Sequence, residues 1–116
     1  SLWGGSAGAR MAAWVGGYGV AAFGGDALPK PAAVVMQYTG LSEYGRDDPP
    51  TYACVGTADG IAPWRVMKGR INGMAALGIP TEFHLYPGLP HGFGLGIGTR
   101  AEGWLDEAAD FWRRQR

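Results

Sequence analysis

Three residues of this chain, a serine, an aspartate and a histidine, have the clearest capacity for chemistry. Ser6 stands in Gly4-Gly5-Ser6-Ala7-Gly8, a GxSxG motif between an apolar segment and a helix-forming one. In such a motif a strand turns sharply into a helix, which strains the serine backbone and exposes its hydroxyl. Asp59 follows an apolar run at 52–56, and His91 lies in Pro90-His91-Gly92-Phe93. A histidine can accept the serine proton while a carboxylate orients the histidine. We therefore predict Ser6 as nucleophile, His91 as base and Asp59 as its partner.

Three further residues are candidate site residues. The backbone N–H of Ala7, at the start of the predicted helix, is a candidate donor to the oxyanion that forms during acyl transfer. Gly5, directly before the nucleophile, is a candidate substrate contact. Trp64 follows Asp59 by five residues, and two interpretations stay open: packing under the sheet, or a sugar-stacking platform in the cleft.

Other titratable residues compete for these roles and are assigned structural ones. His84 lies inside a predicted strand at 81–86, so we expect a sheet or surface residue there. We expect no metal site, because the two histidines have no cysteine or carboxylate partners at ligand spacing. Asp47 and Asp48 precede two prolines at the start of a strand, and Asp26 lies between glycine and proline, so turn or cap chemistry explains all three. The glycines at 92–98 lack the strand and helix that a dinucleotide motif needs, so we read them as a flexible loop carrying His91, and no cofactor is predicted.

Apolar patterning predicts alternating strands and helices. The predicted strands cover 32–38, 52–56 and 81–86, after a strand end at the N-terminus, and the predicted helices cover 7–18, 63–77 and 102–114. Gly16 and Gly17 are expected to loosen or end the first helix. This order predicts a parallel sheet with helices on both faces and ligands at the carboxyl ends of the strands. The thirteen residues at 39–51 are too few for a helical lid, so we expect an open cleft.

With its three motif blocks in this order, the chain resembles the α/β-hydrolase superfamily. Within it, the GxSAG elbow and the HGF segment around His91 are similar to those of compact carboxylesterases and acetyl esterases, including acetyl xylan esterases. The resemblance implies a serine ester hydrolase that forms an acyl-enzyme without a cofactor and acts on short-chain or acetyl esters, including those of carbohydrates. Gly5 and Ala9 differ from the Asp and Gly usual in the hormone-sensitive-lipase-like branch.

The same resemblance implies a partial domain. An α/β hydrolase has several parallel strands before its elbow, whereas the motif here begins at residue 4. We therefore expect residues 1–116 to be the C-terminal half of one catalytic domain. The N-terminal strands and the loop with the second oxyanion donor would then lie outside this sequence, and the cellular location and oligomeric state stay open.

The composition of the chain limits the classes of partner that it is expected to bind. The chain has 116 residues, 47% of them hydrophobic, and equal numbers of basic and acidic side chains, which is typical of a soluble globular domain without a nucleic-acid partner. No stretch reaches transmembrane length, so no membrane partner is predicted. Cys54, the single cysteine, is expected to be a buried strand residue.

Two alternatives to an ester hydrolase stay open. One is a peptidase of the prolyl-oligopeptidase type, which shares the triad order, and the other is a non-catalytic interaction protein of the same fold.

Overall fold

A computed structural model of the chain describes residues 1–25 and 28–116, so Asp26 lies outside the described residues. The elements in chain order are β1 (Leu2–Gly5), α1 (Ala7–Tyr18), a short 3-10 helix (Val20–Phe23), β2 (Val34–Gln37), β3 (Thr51–Gly56), α2 (Trp64–Ala76), β4 (Thr81–Tyr86) and α3 (Trp104–Gln115).

The four strands form one sheet in the order β1-β2-β3-β4, and every neighbouring pair is parallel. The register pairs Gly5 with Gln37 and Gln37 with Cys54, so the carboxyl ends of β1, β2 and β3 come together. Because all strands run the same way, the segments that follow them emerge at one edge of the sheet. The predicted parallel sheet is confirmed.

Side chains of the strands alternate between two faces, and each face is covered by helices. Val34 and Met36 of β2 belong to the core beneath α1 and α2, whereas Val35 belongs to the core beneath α3. α1 presents small residues to the sheet, and α3 buries Trp104, Ala108 and Phe111 at helical spacing. Helices on both faces were predicted, and this is confirmed.

The structure differs from some of the local predictions. α1 ends at Tyr18 as predicted, but Gly16 and Gly17, which were expected to loosen or end it, lie inside the helix. A Cβ on Gly16 would come within 2.6 Å of Val34, and one on Gly17 within 2.5 Å of Asp48, so these glycines permit close packing and do not end the helix. α3 begins at Trp104 and not at 102, because Gly103 before it has a left-handed backbone with φ of 90°.

The 32–38 prediction also shortens, because only Val34–Gln37 pair as a strand. No helix among the described residues combines the length and the apolar character that crossing a membrane requires.

Candidate active site

Ser6 occupies the single-residue turn between β1 and α1. Its backbone has φ of 55° and ψ of −120°, a strained conformation for a residue with a side chain. A Cβ on Gly4 would clash with the carbonyl of Gly8, so position 4 requires glycine. Open space lies where a Cβ on Gly8 would be, so no contact among the described residues requires glycine at position 8. The turn is tied to the sheet because Ser6 N donates to Gln37 O at 2.8 Å.

Two hydrogen bonds connect Ser6, His91 and Asp59. Ser6 Oγ lies 2.9 Å from His91 Nε2, and His91 Nδ1 lies 2.8 Å from Asp59 Oδ2. The Asp59 side chain has no exposed surface, and its other oxygen accepts from the amides of Ile61 at 2.8 Å and Ala62 at 2.7 Å. Both carboxylate oxygens are therefore held, which leaves the carboxylate one orientation toward the imidazole. His91 keeps 18% of its side chain exposed, so this chain of bonds opens to solvent at the serine end.

The turn after β4 carries His91 toward the end of β3. Ala58 N donates to Leu89 O at 3.1 Å, and Gly88 N donates to Thr57 Oγ1 at 2.8 Å. A Cβ on Gly56 would clash with the Leu89 carbonyl, so the two segments pack backbone against backbone. This contact sets the separation of His91 from Asp59, because each follows one of the two packed segments.

The glycine-rich segment after His91 is anchored more firmly than the predicted flexible loop. Gly94 O accepts from Gln37 Nε2 at 2.6 Å and from Trp104 Nε1 at 2.8 Å. Sequence reasoning missed Gln37, although an amide at the end of a buried apolar strand was an available signal. Polar side chains in such places need a partner.

The remaining candidate residues lie at the end of β1 and at the first residues of α1 and α2. Ala7 is the first residue of α1, so its N–H has no acceptor within the helix. Gly5 faces Gln37 and Tyr38, whose side-chain oxygens would lie 3.3 Å from a Cβ placed there. Trp64 begins α2, packs half-buried against the core, and carries the Arg65 guanidinium 4.5 Å from its ring. The substrate contacts of Gly5 and Trp64 stay predictions.

His84 lies in β4 as expected, but it has the carboxylate partners that sequence reasoning overlooked. Its Nε2 is 2.8 Å from Glu82 Oε2 and 3.4 Å from Glu107 Oε2. Glu82 lies on the same face of the strand, two residues away, and only the fold brings Glu107 from α3. The three donor atoms lie within 4.8 Å of one another, so these residue types could hold a cation. Glu82 also pairs with Arg114 of α3 at 2.8 Å, so the cluster links β4 to α3.

Asp48 has a second partner besides the predicted turn. It accepts from Gly45 N at 2.7 Å and lies 3.7 Å from the guanidinium of Arg70. Arg70 is only 3% exposed, and burial lowers the pKa of its guanidinium while Asp48 opposes this effect. Both residues line a cavity of about 170 Å³ near the C-terminal end of α1. None of Ser6, Asp59 and His91 lines this cavity.

Comparisons with known proteins support the fold. No protein-family model matches the chain, and no curated protein matches it. Among solved structures, an acetyl ester-xyloside bifunctional hydrolase from Caldicellulosiruptor lactoaceticus is 19% identical with a TM-score of 0.80. A carboxylesterase from Lactobacillus plantarum is 15% identical with a TM-score of 0.80, and a thermophilic esterase from Thermogutta terrifontis is 23% identical with a TM-score of 0.71.

These alignments cover 97%, 97% and 93% of the chain, but 55%, 57% and 51% of the solved structures. The chain thus spans about half the length of the structures that it matches. Its fold is that of the corresponding part of an α/β hydrolase, as the resemblance implied.

Proposed function

We propose that this chain carries the nucleophile, acid and base of a serine ester hydrolase. The observation that carries the proposal is the continuous bond path from Ser6 Oγ through the His91 ring to the buried Asp59 carboxylate. The strained backbone of Ser6 at the start of α1 supports it independently, because strain of this kind is concentrated at functional sites.

In this mechanism Ser6 Oγ attacks the ester carbonyl carbon and gives its proton to His91 Nε2. The resulting oxyanion accepts a hydrogen bond from Ala7 N–H, where the positive end of α1 also favours negative charge. When the carbon–oxygen bond to the alcohol breaks, His91 returns the proton to the leaving oxygen. Water then attacks the acyl-enzyme by the same route and releases the acid and Ser6. Asp59 keeps Nδ1 protonated and stabilises the imidazolium.

We further assign short acyl esters, including acetyl esters of carbohydrates, as the substrate class. Residues 38–50 between β2 and β3 contain neither helix nor strand, so this connection places no helical lid over the cleft. The name of the acetyl ester-xyloside hydrolase among the similar structures agrees with this class. We also propose that residues 1–116 form the C-terminal part of the catalytic domain, because the similar structures are nearly twice as long.

The test is turnover of p-nitrophenyl acetate and labelling by a fluorophosphonate probe in the full-length protein. Ser6→Ala should abolish both while the far-UV spectrum and melting temperature stay near the parent values, because the hydroxyl contributes chemistry and little packing. Ser42→Ala is the matched control, because Ser42 is exposed and should keep full labelling. Labelling that survives Ser6→Ala would contradict the assignment of Ser6 as the nucleophile. Preferential cleavage of a prolyl peptide amide over acetyl esters would favour the peptidase.

A further inference from the structure

Tyr38 combines an unusual backbone with a position beside the nucleophile. Among the described residues only Ser6 and Tyr38 have a positive φ without being glycine, and the φ of Tyr38 is 36°. They follow Gly5 and Gln37, which are register partners in β1 and β2, so the two strained residues end adjacent strands. Glycine would adopt the backbone of Tyr38 freely, whereas a bulky side chain makes it costly. The side chain at this position therefore calls for an explanation.

The Tyr38 ring packs directly against the imidazole of His91. The ring centroids are 4.7 Å apart at 63°, and Phe93 holds the same tyrosine ring at 5.0 Å and 75°. Such edge-to-face pairs have a preferred geometry and resist rotation. Tyr38 is 8% exposed, so its ring has little freedom to move away.

The other end of the Tyr38 side chain reaches the nucleophile turn. A Cβ on Gly5 would lie 3.3 Å from Tyr38 Oη and 3.4 Å from Cε2. One rigid ring therefore spans from the residue before Ser6 to the His91 side chain.

We propose that Tyr38 is a positioning residue whose ring sets the separation of His91 from Ser6. The inference rests on the proposed function, since it deepens the assignment of the same site. Proton transfer needs Nε2 within hydrogen-bond reach of Oγ, and a misplacement of about 1 Å can cost on the order of 10²-fold in rate. The strained backbone is the means by which the end of β2 directs the ring to this place.

The experiment compares three variants of the full-length protein, with rates normalised to fluorophosphonate-titrated active sites. Tyr38→Leu keeps bulk but loses the flat ring, and kcat should fall ~10- to 100-fold with KM within ~3-fold. Tyr38→Phe keeps the ring, and its kcat should stay within ~3-fold of the parent. Tyr52→Leu is the matched control, a buried tyrosine on the α3 face, and it should lower stability while leaving kcat of the folded sites unchanged.

A second pair of variants decides the matter if Tyr38→Leu does not fold. Gly5→Ala places a methyl group 3.3 Å from both the Tyr38 hydroxyl and the Gln37 amide oxygen and should lower kcat. Adding Tyr38→Phe removes the hydroxyl contact and should restore part of the loss. Parent-like kcat in Tyr38→Leu, an equal kcat loss in Tyr52→Leu, or no rescue of Gly5→Ala would overturn the positioning role. Ser6→Ala distinguishes failure of the proposed function from failure of the Tyr38 proposal. If Ser6→Ala stays active, the proposed function is wrong. If Ser6→Ala is inactive while Tyr38→Leu is fully active, only the role of Tyr38 is wrong.

Discussion

At the residue scale, the backbone fixes the Asp59 carboxylate, and the carboxylate in turn orients His91 toward Ser6. The Asp59 carboxylate is bound by two backbone amides and has no exposed surface, and His91 lies between Asp59 and Ser6. A carboxylate fixed in this way selects the imidazole tautomer with its free nitrogen toward the serine.

Substitutions of the two histidines should distinguish the catalytic base, His91, from the structural residue His84. His91→Ala should lower kcat on the order of 10⁴- to 10⁶-fold and Asp59→Asn somewhat less, because each breaks the proton path. His84→Ala should leave the rate within roughly tenfold, since His84 joins β4 to α3 through Glu82 and Glu107. Steady-state rates on p-nitrophenyl acetate measure all three. An inactive His84 variant beside an active His91 variant would require a different base.

At the element scale, the proposed open cleft rests on the connection between β2 and β3. It runs from residue 38 to residue 50 without a helix or strand, and much of it packs near α1 and Arg70. An uncapped cleft should give no interfacial activation, and the rate should fall steeply from acetyl or butyryl to long-chain p-nitrophenyl esters. A rate that rises above the critical micelle concentration, or a preference for ~C12 esters, would contradict this reading.

We expect the buried thiol of Cys54 in β3 to make the free energy of unfolding fall at alkaline pH. Cys54 has no exposed surface, and burial raises the pKa of its thiol well above the ordinary 9.0. Above pH 9 the unfolded chain releases this proton while the folded chain keeps it, so the unfolded state binds fewer protons and the free energy of unfolding falls as pH rises. At pH 10, one pH unit above the ordinary thiol pKa, the contribution should be about 1.4 kcal/mol.

Urea unfolding of the full-length protein between pH 7 and pH 10 tests this effect. Cys54→Ala is less stable at pH 7 because it loses packing, and its deficit should shrink by that amount as pH rises. Curves that stay parallel through pH 10 would show that Cys54 does not carry the dependence.

At the scale of the whole molecule, the sheet has an open side. No strand of the described residues pairs with the outer edge of β1, and Trp3 and Met11 nearby are 38% and 63% exposed. Unpaired edges and apolar surface of this kind promote association. On our proposal that residues 1–116 are the C-terminal part of the catalytic domain, the second oxyanion donor comes from the rest of that domain, and losing one donor typically costs ~10²- to 10³-fold in rate.

We therefore expect the 116-residue chain expressed alone to aggregate and to have almost no esterase activity, although Ser6, Asp59 and His91 are all present. Size-exclusion chromatography and turnover, compared with the full-length protein, measure both properties. A soluble monomer with cooperative unfolding and parent-like activity would show that the chain is a domain in itself.

The sequence alone determined the order of strands and helices, because apolar periodicity and glycine placement are local signals. It also singled out Ser6, Asp59 and His91, since each stands in a short motif after a recognisable strand. Only the tertiary structure decided which residues surround them. Tyr38, Gln37 and Trp104 reach the site from distant segments, and the Glu107 partner of His84 comes from another element, so no local pattern could reveal these contacts. Even Gly16 and Gly17 were misread for this reason: a glycine that ends a helix and one that admits a neighbour look alike until the neighbour is known.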